Sequence, residues 1–94
     1  MVDNFPNGKI MASIRTTQQL GKALRGARKQ LGLTQSQLAL AAGVGLRFIV
    51  DLEAGKPTLR LENVLRVIEA LGGDLCLSGL PHSTDSTEDD DRGA

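Results

Sequence analysis

Apolar residues recur at helical rather than strand spacing from residue 16 to residue 72, and four separate stripes can be traced. The first comprises Leu20, Ala23, Leu24, Ala27 and Leu31, with a capping box at Thr16 and Gln19 before it and Gly32 as its stop. A second helix is predicted from about Thr34 to Ala42, with Thr34 as N-cap, Leu38 and Ala39 turned inward, and Gly43 ending it. Val44 packs the turn. A third helix is predicted from about Gly45 to Ala54, with Ile49 and Leu52 inward and Gly55 and Pro57 stopping it. The fourth covers roughly Arg60 to Leu71, its stripe being Leu61, Val64, Leu65, Ile68 and Leu71, and Gly72-Gly73 terminates it. Leu75 and Leu77 then alternate about Cys76 in a short strand-like run.

The two ends carry weaker signals. Asn4, Pro6, Asn7 and Gly8 break regular structure, so residues 1–15 are expected to form a partly disordered arm with at most a short strand between Lys9 and Arg15. From His82 onward no apolar residue occurs before Ala94, and residues 81–94 are expected to be a disordered acidic tail. This leaves one small domain at 16–80 with an aliphatic core, since Phe5 and Phe48 are the only aromatic residues. No apolar run approaches the roughly 18 residues of a membrane span, and no secretory apolar region opens the chain. The single cysteine, Cys76, cannot form an internal disulfide, which suits a reducing cytoplasm; it is expected to be a small buried hydrophobe.

Zero net charge hides a division. Residues 9–73 sum to +6 and residues 74–94 to −5. A basic globule with an acidic tail is compatible with nucleic-acid binding. The tail has two readings, a passive solvated end or a segment that docks on a basic partner.

The second and third helices, joined by a tight glycine turn, make a helix-turn-helix, whose second helix normally enters the DNA major groove. Thr34 and Gln35 stand at a helix N-terminus, where free N–H groups attract a phosphate. Lys56 and Arg60 follow the third helix, either as phosphate contacts or merely as solubilising charges. Gly45, Leu46, Arg47, Val50 and Asp51 are its exposed positions. Arg47 is the strongest base reader, because a guanidinium can bond both acceptors of guanine, while Leu46 and Val50 suit thymine methyl groups. Asp51 would repel phosphate unless it bonds cytosine or a neighbouring basic residue. Phe48 either fills a helix interface or touches DNA. Arg28, on the border of the first stripe, and Glu53 are expected to form a structural ion pair between helices 1 and 3.

Catalysis finds no support. His82, the only histidine, has no carboxylate held against it, and no phosphate loop, paired acidic site or metal-ligand spacing is present. The chain reads as a non-enzyme without cofactor or metal.

Through Leu33-Thr-Gln-Ser-Gln-Leu-Ala39, Gly43-Val44, Ile49 and Leu52-Glu-Ala-Gly-Lys56, the chain resembles the Xre/Cro/phage-repressor family over residues 16–72. That resemblance implies a mainly α, four-helix lambda-repressor-like fold. It places the family's arginine–glutamate pair on Arg28 and Glu53, its phosphate-contacting glutamine on Gln35, and its groove-facing positions on Gly45 to Arg47, Val50 and Asp51. Within the family the chain is most similar to HipB-type antitoxins, given its short arm before Thr16, its four helices and the run Gly73-Asp-Leu-Cys-Leu-Ser78. The resemblance implies a homodimer joined through a strand at Asp74, Leu75, Cys76, Leu77 and Ser78. It also implies binding to palindromic operator DNA, repression of its own operon, and neutralisation of a HipA-like serine/threonine kinase toxin. Two other functions remain open: a stand-alone Xre-family repressor, and an interaction module that has lost DNA binding. The departures are Leu46, Phe48 and Val50, where relatives often carry polar residues.

Overall fold

In a computed structural model, residues 2–4 and 10–81 are described. Two short strands, β1 (Val2–Asn4) and β2 (Ile10–Ala12), pair antiparallel with Val2 opposite Ala12 and Asn4 opposite Ile10. Four helices follow: α1 (Thr17–Gln30), α2 (Gln35–Ala42), α3 (Leu46–Glu53) and α4 (Leu61–Ala70). The domain is mainly helical. The sequence reading weighed Asn4, Pro6, Asn7 and Gly8 only as breakers, and so missed that Val2–Asn4 supplies a partner for the second strand. The acidic tail beyond residue 81 lies outside the described residues.

Caps set the helix boundaries. Thr16 accepts a hydrogen bond from the Gln19 N–H while the Gln19 side chain accepts from the Thr16 backbone, and Thr34 and Gln37 repeat this arrangement at α2. The helix ends are also alike. At α2 the Val44 N–H bonds to the Ala39 carbonyl and the Gly43 N–H to that of Leu40, with Gly43 at φ 72°. The same pair of bonds closes α3, from Lys56 to Asp51 and from Gly55 to Leu52. Each such end satisfies carbonyls that a helix C-terminus leaves open, and reverses the chain within two or three residues.

The core comprises Leu24, Leu38, Ala39, Ala42, Ile49, Leu52, Val64, Val67 and Ile68, with Leu20, Val44, Phe48, Leu59 and Leu71 packed against it. Two stripes differ from their sequence expectation. On α4, Leu61 and Leu65 are exposed and Val67 is fully buried, so the buried face is turned by one position toward 64, 67 and 68. The helix is apolar enough at 61 and 65 to allow either phase, and its packing on α2 selects this one. On α1 the buried ridge is Gly21, Leu24 and Arg28, while Leu31 is exposed at the C-cap. A glycine and an arginine hold inward positions that hydrophobic counting cannot find.

Gly21 marks where α1 crosses α3. A Cβ there would lie 2.5 Å from the Leu52 carbonyl oxygen and 2.8 Å from that of Glu53. About two turns further along α1, Arg28 pairs with Glu53 and fastens the same two helices. The guanidinium donates from Nε to Glu53 Oε2 at 2.7 Å and from Nη2 to Oε1 at 3.0 Å, and its Nη1 donates to the Leu33 carbonyl at 2.8 Å. Gln35 Nε2 donates to Glu53 Oε1 at 3.1 Å, which brings the start of α2 into the same network. The ion-paired side chains are only 10% and 4% exposed.

In the single chain, the C-terminal run differs from expectation in the exposure of Cys76. Residues 74–78 form no strand, since among the described residues no strand pairs with them inside one chain. Leu75 and Leu77 are exposed, and Cys76 is exposed rather than buried. A stretch without a ladder partner and beyond the last helix has nothing to bury it.

Two outcomes are expected from these contacts. Replacing glycine by alanine inside a helix ordinarily stabilises by about 0.5–1 kcal/mol, and Gly26→Ala should do so because nothing lies within 4 Å of its new methyl group. Gly21→Ala should instead destabilise by about 1–3 kcal/mol, since two backbone carbonyls must move; urea denaturation of both variants reads the opposite signs. The second outcome concerns acid. Burial alone would raise the Glu53 carboxyl, but bonds from Arg28 and Gln35 and the charges of Arg28 and Arg25 outweigh it and hold it below its ordinary 4.5. The folded state therefore binds this proton less readily than the unfolded chain. Its contribution is complete above that ordinary value and is lost as pH falls through the lower, folded one. Urea midpoints between pH 7 and 3 should show this decline in the native protein and a shallower one in Glu53→Gln, which is less stable at pH 7 because Arg28 loses its counter-ion.

Candidate nucleic-acid interface

The geometry of α3 is set by its two faces. Ile49 and Leu52 are buried, and Phe48 is half-buried against the core, which is the first of the two readings of that side chain. Positions 46, 47, 50 and 51 then share the opposite side by helical spacing. Leu46 and Arg47 are exposed there, and Val50 and Asp51 are half-buried. Gly45 is the N-cap of α3 without a side-chain cap bond, and open space surrounds the place a Cβ would take.

Charge on this surface is organised around one carboxylate. Asp51 Oδ1 lies 3.3 Å from Arg47 Nε, and its Oδ2 lies 3.7 Å from Lys56 Nζ. The Asp51 side chain is 19% exposed against 85% for Arg47. Of the sequence alternatives for Asp51, the unbound chain has the bond to neighbouring basic residues. Lys56 reaches this carboxylate because the α3 C-terminal turn bends the chain back, a proximity that linear order conceals.

The start of α2 is less free than the sequence suggested. The Thr34 hydroxyl accepts the Gln37 N–H as a cap, and Gln35 is half-buried with its amide donating to Glu53. No acidic residue lies in the first turn of α2 itself, and the carboxylate near its start, Glu53, is already paired with Arg28. Arg60 is the exposed N-cap position of α4; its carbonyl accepts from the Asn63 and Val64 N–H groups, and its guanidinium has no hydrogen bond or ion pair to another described residue. Asp74 to Ser78 lie beyond α4, outside this grouping. Sequence reasoning did not foresee the Gln35–Glu53 bond or the influence of Arg25 on Glu53; both depend on how helices distant in sequence pack. Among the described residues, no cluster of three or more histidine, cysteine or acidic side chains could hold a metal ion, and no helix is long and apolar enough to cross a membrane.

The family model for helix-turn-helix domains matches residues 24–77. A protein of Sinorhizobium fredii (strain NBRC 101917 / NGR234), described as an uncharacterized HTH-type transcriptional regulator, y4mF, is 54% identical over 59 residues, covering 63% of this chain and 78% of that protein. Among solved structures, a HipB complex with an O4 20mer aligns at a TM-score of 0.69 and 25% identity, over 76% of this chain and all of that one. A HipA-HipB-O2-O3 complex aligns with the same score, identity and coverage. The matched segment contains the α2–turn–α3 unit whole, and the similarity to HipB extends over the full length of the HipB chain. This chain belongs to the Xre-like helix-turn-helix family of DNA-binding transcription regulators.

Proposed function

We propose that the chain is a HipB-like antitoxin of the cytoplasm, a homodimer that binds a palindromic operator, represses its own operon and neutralises a HipA-like serine/threonine kinase toxin. The observation that carries this reading is the full-length correspondence to HipB chains, one of them in complex with HipA. In this reading α3 enters the major groove. Arg47 reads guanine, Leu46 and Val50 meet thymine methyl groups, and Gly45 lets the backbone come close. Lys56, Arg60 and the α2 start at Thr34 and Gln35 contact phosphates, with Gln35 steadied by Glu53. Asp74 to Ser78 pair with the same segment of a second copy. Exposed Leu75 and Leu77 and a backbone without ladder partners support that role, because a two-fold mate supplies both bonds and cover.

A stand-alone repressor is the second reading, favoured by the description of the Sinorhizobium fredii relative as a transcriptional regulator. Co-expression with the protein encoded in the neighbouring reading frame separates the two. Retention of a kinase-like partner on the tagged chain, at equal stoichiometry, together with sedimentation of the free chain as a dimer, is expected for the antitoxin. A dimeric chain that binds DNA upstream of its gene but retains no neighbour product contradicts it and leaves the repressor.

DNA readout has its own expected outcome. Arg47→Ala should lose about 1–3 kcal/mol of preference for each guanine it contacts, whereas Lys56→Ala should weaken cognate and scrambled duplexes alike. Fluorescence anisotropy with both duplexes measures the difference. Unaltered preference in Arg47→Ala removes Arg47 as a base reader.

A further inference from the structure

The carboxylate of Asp51 is an anomaly on a surface meant for phosphate. It does not face the groove as a lone acceptor; it lies between two cations, 3.3 Å from Arg47 and 3.7 Å from Lys56. Helix stability does not account for it. Arg47 precedes Asp51 by one turn, which puts the cation toward the positive end of α3 and the anion toward the negative end, the less favourable order for such a pair. A partly exposed pair of this kind contributes little in any case.

We propose that Asp51 determines specificity by positioning Arg47 for its base contact while withholding Arg47 from indiscriminate phosphate binding. This rests on the reading that α3 enters the major groove. The arginine's shortest approach to the carboxylate is through Nε, and its terminal nitrogens Nη1 and Nη2 donate no hydrogen bond to another described residue. They are left to meet the two acceptors of one guanine edge. An exposed arginine otherwise samples many rotamers, so holding its Nε reduces the freedom lost when the base is reached. Where no guanine stands opposite, the carboxylate keeps its hold, and the cation is not released to the nearest phosphate. The negative charge also lowers the sequence-independent attraction that counter-ion release supplies. Asp51 thus acts through Arg47 and through the local charge, and it need not touch DNA itself.

The test uses the full chain and two duplexes: the operator located by footprinting DNA upstream of this gene, and a scrambled version of equal length. Binding is followed by fluorescence anisotropy from 50 to 200 mM salt for the native protein, Asp51→Asn, Asp51→Ala, Arg47→Ala and the Arg47→Ala/Asp51→Asn double variant. Thermal unfolding of each variant is followed alongside, so that binding is compared only between folded proteins, and the alanine variant repeats the test with a different side chain. Asp51→Asn is expected to bind the scrambled duplex more tightly, with a steeper salt dependence by up to about one unit of slope. Its preference for the operator should fall by about fivefold or more, the loss expected when one guanine contact is poorly held. In the Arg47→Ala background the same change should leave the preference as it is. Native protein that prefers its operator, together with an Asp51→Asn variant of undiminished preference, overturns the inference while leaving the groove reading intact. An equal loss of preference with and without Arg47 overturns it too, since Asp51 then reads a base directly. Native protein showing no preference between the duplexes fails the groove reading, and the inference with it.

Discussion

The contact between α1 and α3 is the constraint on which the surface of this domain depends. Gly21 allows the helix backbones to approach at a distance that no Cβ would tolerate. Arg28 and Glu53 then fix the rotation of one helix about the other through two parallel hydrogen bonds. Because Glu53 also receives the Gln35 amide, the start of α2 is held to the end of α3 by the same carboxylate. Burying Ile49 and Leu52 chooses which side of α3 faces inward, and the ion pair limits how far that choice can drift. A short helix of eight residues is marginal alone, so its precision as a reading element has to come from such neighbours.

What α3 then presents is unusual in its balance. Two aliphatic positions, one arginine and one aspartate make a surface with few polar readers. In the proposed readout, specificity per half-site would be concentrated in Arg47, with shape and methyl contacts around it. In the proposed two-fold arrangement a dimer would read two half-sites, and its joint selectivity would multiply. The leucines after α4 are exposed in the single chain, and in the proposed dimer a second chain would cover them and complete their backbone bonding.

Much of this was legible in the sequence, and the exceptions have physical causes. Helix number and order followed from periodicity, while Thr16 with Gln19, Thr34, Gly43 and Gly55 marked ends that the structure closes by capping and left-handed turns. Those features are local, decided within four residues of chain. The phase of α4 was not local: Leu61 and Leu65 are as apolar as Val64 and Val67, and only the packing on α2 distinguishes them. Gly21 reads as a weak helix former unless one knows what crosses it. At the candidate site, Arg47 and Lys56 stood out by residue type and position, but the carboxylate that gathers them and the amide bond from Gln35 to Glu53 required the chain to have folded back. Cys76 was expected to be buried, and within one chain it is exposed, as are the leucines beside it, because the run lies beyond the last helix with nothing packed over it.

The central claim is that the outward face of α3 lies in the major groove and reads guanine there. Dimethyl sulfate protection reports this directly, because it methylates guanine N7 on the major-groove edge. At saturating protein, the account expects at least one protected guanine in each half-site, the two protected patches lying about one helical turn, roughly 34 Å, apart or a multiple of it. The same guanines should become reactive again with Arg47→Ala at a concentration that still saturates the DNA. Stable operator binding that leaves every guanine N7 open to methylation would contradict the account, since the protein would then hold the DNA without placing α3 in the major groove.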